Sequence, residues 1–425
     1  MEVGLIFLAA FVLCLLIGVP IAYSLGVGVV AVVTLTQIPG IDMSLVIQTF
    51  FTSADTFPLL AVPFFILAGD IMLEGGISQR LVEFGKTTLG HVHGALGLIT
   101  VACCMLFAAI SGSGPATTAA IGGILIPAMI KDGYDEGFSA SCAAASGSLG
   151  PVIPPSITLI MYGIIASVSI TDLFMAGILP GIFMGVCLMI FVYAASRKHN
   201  FGTKTEKVSA AGRWQAFKGA IWAIFVPVII LGGIYGGYVT PTEAAILACD
   251  YALIVGFFVY KELTMKKLVK IFFKSALTSG YCLILVGTAT AFGKVLTLAN
   301  IPKLLSAFIL ELSDSRIIIL LVINILLLIV GCFMETLAAV IILAPLLLAI
   351  VTPLGVDPIH FGVIMTCNLV IGQCTPPVGV NMFVASGVAG IPIERMFRWL
   401  FKFIAIMIIS LMVITYVPAL SLALL

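Results

Sequence analysis

Two short stretches carry the residue types that could hold an ion inside an otherwise apolar chain: Gly147 to Pro155 (GSLGPVIPP) and Gly372 to Pro377 (GQCTPP). Two adjacent prolines remove two amide donors and clash with the preceding turn, so carbonyls there lose their helical partners. Lipid cannot replace those partners, and such backbone persists only beside a cavity, an ion or other protein. The freed carbonyls, with Ser146, Ser148, Asn368 and Thr375 close in sequence, supply the hard neutral oxygens a monovalent cation needs. A third stretch, Ser111-Gly112-Ser113-Gly114-Pro115, offers small residues, two hydroxyls and a helix N-terminus near Pro115. The amides and positive dipole end of such a terminus favour an anion.

One Pro-Pro kink in a membrane helix is ordinary shape. Here there are two in matching register: Asp135, Gly150, Pro154 and Pro155 recur as Asp357, Gly372, Pro376 and Pro377, and Asp172 recurs as Glu394. Each kink also follows a broken apolar hairpin containing a proline, Pro127 and Pro345. That repetition points to a paired binding site.

The elements that must position these residues are membrane helices. Of 425 residues, 61% are hydrophobic and 9% charged, against about 25% charged in soluble domains. A water-soluble fold is excluded, and a net charge of +1 gives no basic surface for nucleic acid. The apolar runs are long and continuous, as in Ile317 to Val330, whereas a membrane barrel needs short alternating segments. The chain therefore reads as an all-α polytopic membrane protein. Ten crossings are expected at 4–22, 24–38, 57–74, 138–168, 174–195, 219–238, 243–260, 276–299, 359–389 and 398–417. The first, starting at Val3, lacks a basic leader and reads as a retained helix. Residues 95–130 and 316–351 are instead broken at the centre, by Ser111 to Pro115 and by Gly331-Cys332-Phe333-Met334-Glu335. Halves this short suit two re-entrant hairpins. Segments 42–55 and 261–275 read as interfacial arms.

With both termini outside, this arrangement puts every Lys and Arg except Lys294, Lys303 and Arg316 on the inner side, as the positive-inside rule asks. Five crossings per copy is an odd number, so the second copy is inverted. The expected organisation is a first repeat at 1–195, an inner linker at 196–218 and a second repeat at 219–425.

Ionisable groups within apolar runs are functional candidates. Asp70 and Lys294 follow Gly69 and Gly293 at similar places in the two repeats, which suits helix ends beside a water-filled cleft. Asp250 reads as a packing or subunit-interface group, and Thr240, Pro241 and Glu243 as a helix start. Enzyme chemistry is poorly supplied. The GKTT at 85–88 lacks the upstream glycine of a phosphate loop, where Arg80 stands instead. No histidine accompanies a candidate serine nucleophile, and His91 and His93 have no further ligands for a metal. The ten cysteines are scattered through apolar segments with no disulfide or metal spacing.

The stretches SGSGPATTAAIG (111–122), GPVIPPS (150–156), YVTPTEAA (238–245) and IGQCTPPVGVN (371–381) carry a family likeness. Over essentially its whole length the chain resembles the large membrane subunit of tripartite ATP-independent periplasmic (TRAP) transporters. The resemblance implies an inverted-repeat, elevator-type carrier of the bacterial inner membrane that takes up a small organic acid, of the sialic acid or C4-dicarboxylate class, with sodium. It also implies two partners, a small membrane subunit and a periplasmic substrate-binding protein. One sodium would lie between Ser111, Gly112, Ser113, Gly114 and the break at Gly147, Gly150 and Val152. The other would lie between Gly331, Cys332, Phe333, Glu335, Thr336 and the break at Gly372 to Thr375. Candidate substrate contacts are Ser113, Pro154, Pro155, Pro376, Pro377 and Asn381. Sodium is the only metal expected and no organic cofactor is. The competing readings are a self-sufficient sodium/anion symporter of related fold and a passive anion channel.

Overall fold

The computed structural model describes residues 2–36, 41–202, 208–301 and 315–425, and the regular structure within them is entirely helical. Lys204, Lys207 and Lys303, and the end of the expected crossing at 24–38, lie outside the described residues. In chain order the helices are α1 (Glu2–Leu16), α2 (Ile21–Leu35), α3 (Met43–Ala54), α4 (Ala61–Glu74), α5 (Ile77–Leu89), α6 (Ala95–Ser111), α7 (Gly114–Lys131), α8 (Glu136–Gly147), α9 (Ile157–Ala166) and α10 (Ile170–His199). They continue as α11 (Ala210–Tyr235), α12 (Pro241–Ile254), α13 (Met265–Leu298), α14 (Arg316–Gly331), α15 (Thr336–Val351), α16 (Pro358–Gly372), α17 (Val380–Ala389) and α18 (Glu394–Tyr416), followed by the short turn Ala419–Leu422. Among the described residues six helices are long and apolar enough to cross a membrane: the Phe57–Glu74 run, α10, α11, α12 with its π-turn, α13 and α18.

Local sequence sets the helix starts. The side chains of Asp42, Asp135, Ser156, Ser169, Ser209, Thr264 and Asp357 each accept a hydrogen bond from an amide of the first turn, a cap typically worth about 1 kcal/mol. Thr240 and Glu243 form a reciprocal capping box, the helix start read from TPTE.

Three expectations shift. The first two crossings meet at 17–20 rather than near 23, because Gly18 adopts φ +83° and Pro20 opens α2. The arm expected at 261–275 is not separate. It continues without a Gly or Pro break into the following crossing, so that α13 is 34 residues long, about 51 Å at 1.5 Å per residue. Residues 77–89, given no element from sequence, form the amphipathic helix α5, which rests on α11 with Phe84 against Phe217. The other expected arm is a discrete helix, α3, with no buried residue.

Both hairpins are present as paired helices, α6 with α7 and α14 with α15, and both long runs are interrupted, α8 from α9 and α16 from α17. The two interrupted runs occupy the centre of the molecule. Every residue of α8 from Gly137 and every residue of α16 from His360 is buried. One apolar cluster packs α8 and α16 with α6, α7, α10, α17 and α18. The largest cluster joins α1, α2, α4 and α5 to α11, α12 and α13 and reaches α6, α9 and α15. The breaks thus sit where the two clusters meet the hairpin tips.

Candidate functional site

The first hairpin ends against the first break. α6 stops at Ser111, Gly112 turns the chain at φ +59°, and α7 begins at Gly114. Gly150 is so close to this tip that a Cβ there would lie 2.5 Å from the Ser113 carbonyl oxygen. Ser111 Oγ and Thr117 Oγ1 are 2.8 Å apart, and Thr117 Oγ1 donates to the Ser113 carbonyl at 2.7 Å. The second hairpin ends against the second break in the same way. A Cβ on Gly372 would overlap the Gly331 carbonyl, and the Val378 amide donates to the Cys332 carbonyl at 3.2 Å. The Pro154-Pro155 and Pro376-Pro377 peptide bonds are both cis. The first pair is buried, whereas Pro377 is exposed.

Five buried side chains connect the two breaks. Gln373 Nε2 donates to Thr336 Oγ1 at 2.6 Å, Asn381 Nδ2 donates to Gln373 Oε1 at 3.2 Å and to Ser148 Oγ at 2.8 Å, and Ser148 Oγ lies 2.9 Å from Cys374 Sγ. Gly114, first residue of α7, packs directly against Gln373 and Asn381. Each half therefore completes the surroundings of the other half's hairpin.

The remaining candidates distribute as follows. Ser146 is fully buried, and among the described residues neither its hydroxyl nor Thr118 Oγ1, which abuts Gly147, has a hydrogen-bond partner. Buried hydroxyls without partners are uncommon and call for a ligand or water, so oxygen ligation of a small cation fits this spot. The Val152 carbonyl lies against Gly177 of α10. Thr375 Oγ1 donates to the Ile371 carbonyl at 2.8 Å, and Cys332 Sγ to the Leu328 carbonyl at 3.1 Å. Phe333 projects to the surface. Glu335 caps α15 by accepting from the Leu337 and Ala338 amides at 3.1 and 3.4 Å. Asn368 reaches across to α14. Its Nδ2 donates to the Asn324 carbonyl and Oδ1 at 2.9 and 2.8 Å, two turns along α14 from Gly331. A polar residue one turn before the break thus ties two helices through its amide nitrogen, while its Oδ1 is buried with no hydrogen-bond partner among the described residues.

A cavity of about 340 Å³ opens beside the first tip. Ser111, Ser113, Pro115 and Pro151 line one wall with Thr158, Glu335 and Gln373; Asp70, Lys274, Thr278 and Tyr281 line the other. Lys274 Nζ lies 2.7 Å from Asp70 Oδ1, and Ser275 Oγ donates to Asp70 Oδ2 at 2.8 Å. A second cavity of about 360 Å³, near the opposite end of α13, is lined by Lys294, Thr290, Thr49, Ser53 and Pro345. Asp70 and Lys294 thus both line cavities, but different ones. Sequence reading missed Lys274, because it was assigned to an interfacial arm. It also missed Gln373 and Thr117, although an amide in GQCTPP and a hydroxyl in SGSGPATT, both in apolar surroundings, were the available signals.

The Ser113 hydroxyl faces this cavity with no protein partner among the described residues. Ser113→Ala removes that one oxygen at nearly constant volume. Reconstituted Ser113→Ala should show a several-fold rise in the half-saturating sodium or substrate concentration with unchanged expression. Titrations superimposing on the parent would remove Ser113 from the site.

Residues 8–420 match the family model described as tripartite ATP-independent periplasmic transporter, DctM component. The chain is 48% identical over 96% of its length to the isethionate TRAP transporter permease protein DctMQ of Oleidesulfovibrio alaskensis, of which it spans 64%. It is 38% identical to the C4-dicarboxylate TRAP transporter large permease protein DctM of Rhodobacter capsulatus, with 99% of this chain and 98% of that one covered. Among solved structures it resembles the Alcanivorax borkumensis YdaH transporter, with a TM-score of 0.62, 14% identity and 98% of each chain covered; that likeness concerns the fold. With hairpin tips set against paired helix breaks and a family match spanning nearly its full length, the chain belongs to the DctM component family of TRAP transporters, membrane permeases rather than enzymes.

Proposed function

We propose that this permease drives sodium-coupled uptake of a small organic anion, a carboxylate or sulfonate, delivered by a periplasmic binding protein and taken in together with a small membrane subunit. The observation that carries the reading is the paired packing of each hairpin tip on a helix break, with a backbone carbonyl at each contact, at Ser113 and Gly150 and again at Gly331 and Gly372, and the Ser111 and Thr117 hydroxyls beside the first. One sodium is assigned to each pair. Backbone carbonyls do most of the coordination at the second, where the tip has no serine. The anion sits in the cavity at the N-terminus of α7, whose free amides favour negative charge. The substrate class is supported by the names of the relatives, one an isethionate and one a C4-dicarboxylate permease. A sialic acid is the larger candidate.

The inverted repeat and the positive-inside rule support periplasmic termini in the inner membrane. In that orientation the first cavity faces the cytoplasm, because Asp70 and Lys274 lie toward the same helix ends as Glu262 and Tyr260, and Tyr260 Oη donates to Gly219 beside the inner linker. On this reading the first cavity is the inward opening of an elevator cycle in which the hairpins and broken helices move against α4 and α13. On the cavity wall Asp70 cancels the charge of Lys274, so the anion is recognised mainly by amides and hydroxyls.

The deciding experiment is uptake into liposomes with the permease, the small subunit and the binding protein present. Isethionate, succinate and N-acetylneuraminate are tested separately, with and without an inward sodium gradient. Uptake of one of these should require all three proteins and collapse without sodium. Robust uptake by the permease alone would favour a self-sufficient symporter. Flux that follows the anion gradient without counterflow would favour a channel.

A further inference from the structure

Asp250 lies at the middle of the crossing Pro241–Val259 and is exposed on its outer face. From the ends of that crossing it is about 13 Å away, at 1.5 Å per residue. An aspartate side chain is too short to reach either water interface from there. Its neighbours on the same helix face, at i−4, i−3, i+4 and i+8, are Ile246, Leu247, Ile254 and Phe258, all exposed. Beside them α11 presents Trp222, Phe225 and Val228, also exposed. The two helices are tied by Tyr251 Oη donating to the Trp222 carbonyl at 2.9 Å, so these residues form one surface.

Among the six long spans of the described residues, the α11 part of that surface is the least covered. Only 28% of the α11 span is buried, against 44–56% for the other five. Bare aliphatic and aromatic side chains would suit lipid. A carboxylate in their midst does not, because ionisable residues in the hydrocarbon layer face protein or water and carry a partner. Among the described residues Asp250 has neither a hydrogen bond nor an ion pair.

We infer that the α11–α12 face centred on Asp250 is the docking surface of the small membrane subunit, which meets the carboxylate with a cationic or hydrogen-bond-donating side chain on a transmembrane helix. The inference rests on the proposed partnership and names its location. The occupant must itself lie within the membrane, since the face does, and must bring the complementary charge. Complementary charge disfavours a second copy of this chain meeting itself symmetrically here, because that would set two Asp250 carboxylates against each other.

The test is site-specific photocrosslinking of the full-length permease co-expressed with the small subunit of its own system, with Asp250 left intact. A benzoyl-phenylalanine at Leu247 or Ile254 should give a covalent adduct with the small subunit. The same group at Ile318 on α14, exposed on another face, should give none. Asp250→Lys should lower the small subunit recovered with purified permease by at least about tenfold, and Asp250→Asn should lower it less. Should Asp250→Lys fail to insert, the crosslinks decide alone. Adducts between two permease copies, or adducts only at Ile318, would overturn the assignment while leaving the partnership standing. Parent permease that never retains the small subunit would overturn both.

Discussion

Gly372→Ala should reduce sodium-driven uptake by at least about tenfold, and Gly150→Ala by a comparable amount, in permease that still folds and inserts. A Cβ at Gly372 would run into the Gly331 carbonyl, and one at Gly150 would lie 2.5 Å from the Ser113 carbonyl oxygen and 2.9 Å from the Gly114 amide nitrogen. The obstacles are backbone atoms, which cannot rotate away as a side-chain tip can. Each hairpin tip must therefore retreat from its break. Overpacking of this kind costs about 1–3 kcal/mol, and about 1.4 kcal/mol is a factor of ten in an equilibrium constant. If the displaced carbonyls hold sodium, the lost factor appears in the sodium titration. If the glycines serve only close helix packing, the cost falls on folded yield and the surviving protein keeps the parental sodium response. A control is available at Gly123 on α7, where a Cβ meets nothing within 4 Å. Gly123→Ala should leave both yield and sodium response unchanged. Parental uptake from Gly372→Ala would show that tip and break are not held together during transport.

Much of this geometry was legible in the sequence because its strongest signals are local and repeated. Pro154-Pro155 and Pro376-Pro377 interrupt long apolar runs, and proline's missing amide acts the same way in any tertiary setting. The tips were equally legible, since Ser111 to Pro115 cannot continue a membrane helix unaided. The 261–275 segment misled for a physical reason. Its five lysines among aliphatic residues have the composition of an interfacial helix, and only packing decides whether such a helix bends at the interface or runs straight on as α13 does. Lys274 belongs to the cavity because of that continuity. Asn368 shows that nearness in sequence to a break does not fix direction: the helix turns its amide nitrogen toward Asn324 of α14 and leaves Oδ1 buried without a hydrogen bond among the described residues. Contacts that join the two halves, above all Asn381 with Ser148, come from residues separated by 233 positions and have no local signature at all.

Those inter-half contacts give the second large expectation, at Gln373. Its side chain joins the second hairpin, through Thr336, to Asn381, which in turn holds Ser148 at the first break. Gln373→Leu keeps approximate volume but deletes both ends of the bridge in a place with almost no exposure. A buried polar group left without its partner costs about 1–3 kcal/mol, and here it falls between the two assigned ion positions. The half-saturating sodium concentration should rise about tenfold, and any cooperativity between two sodium ions should weaken, because the halves no longer register each other through this chain. Gln373→Glu separates that effect from simple loss of cavity shape. A carboxylate can still accept from Asn381 and from the Thr336 hydroxyl, so sodium binding should stay near the parental value. It would, however, add a negative charge to a cavity wall that already carries Glu335 and lies at the N-terminus of α7. The Michaelis constant for the organic anion should therefore rise instead. Sodium and anion titrations of both variants in the reconstituted three-protein system read these shifts. The bridge would lose its assigned role if Gln373→Leu reproduced the parental sodium curve, or if both variants failed in the same parameter.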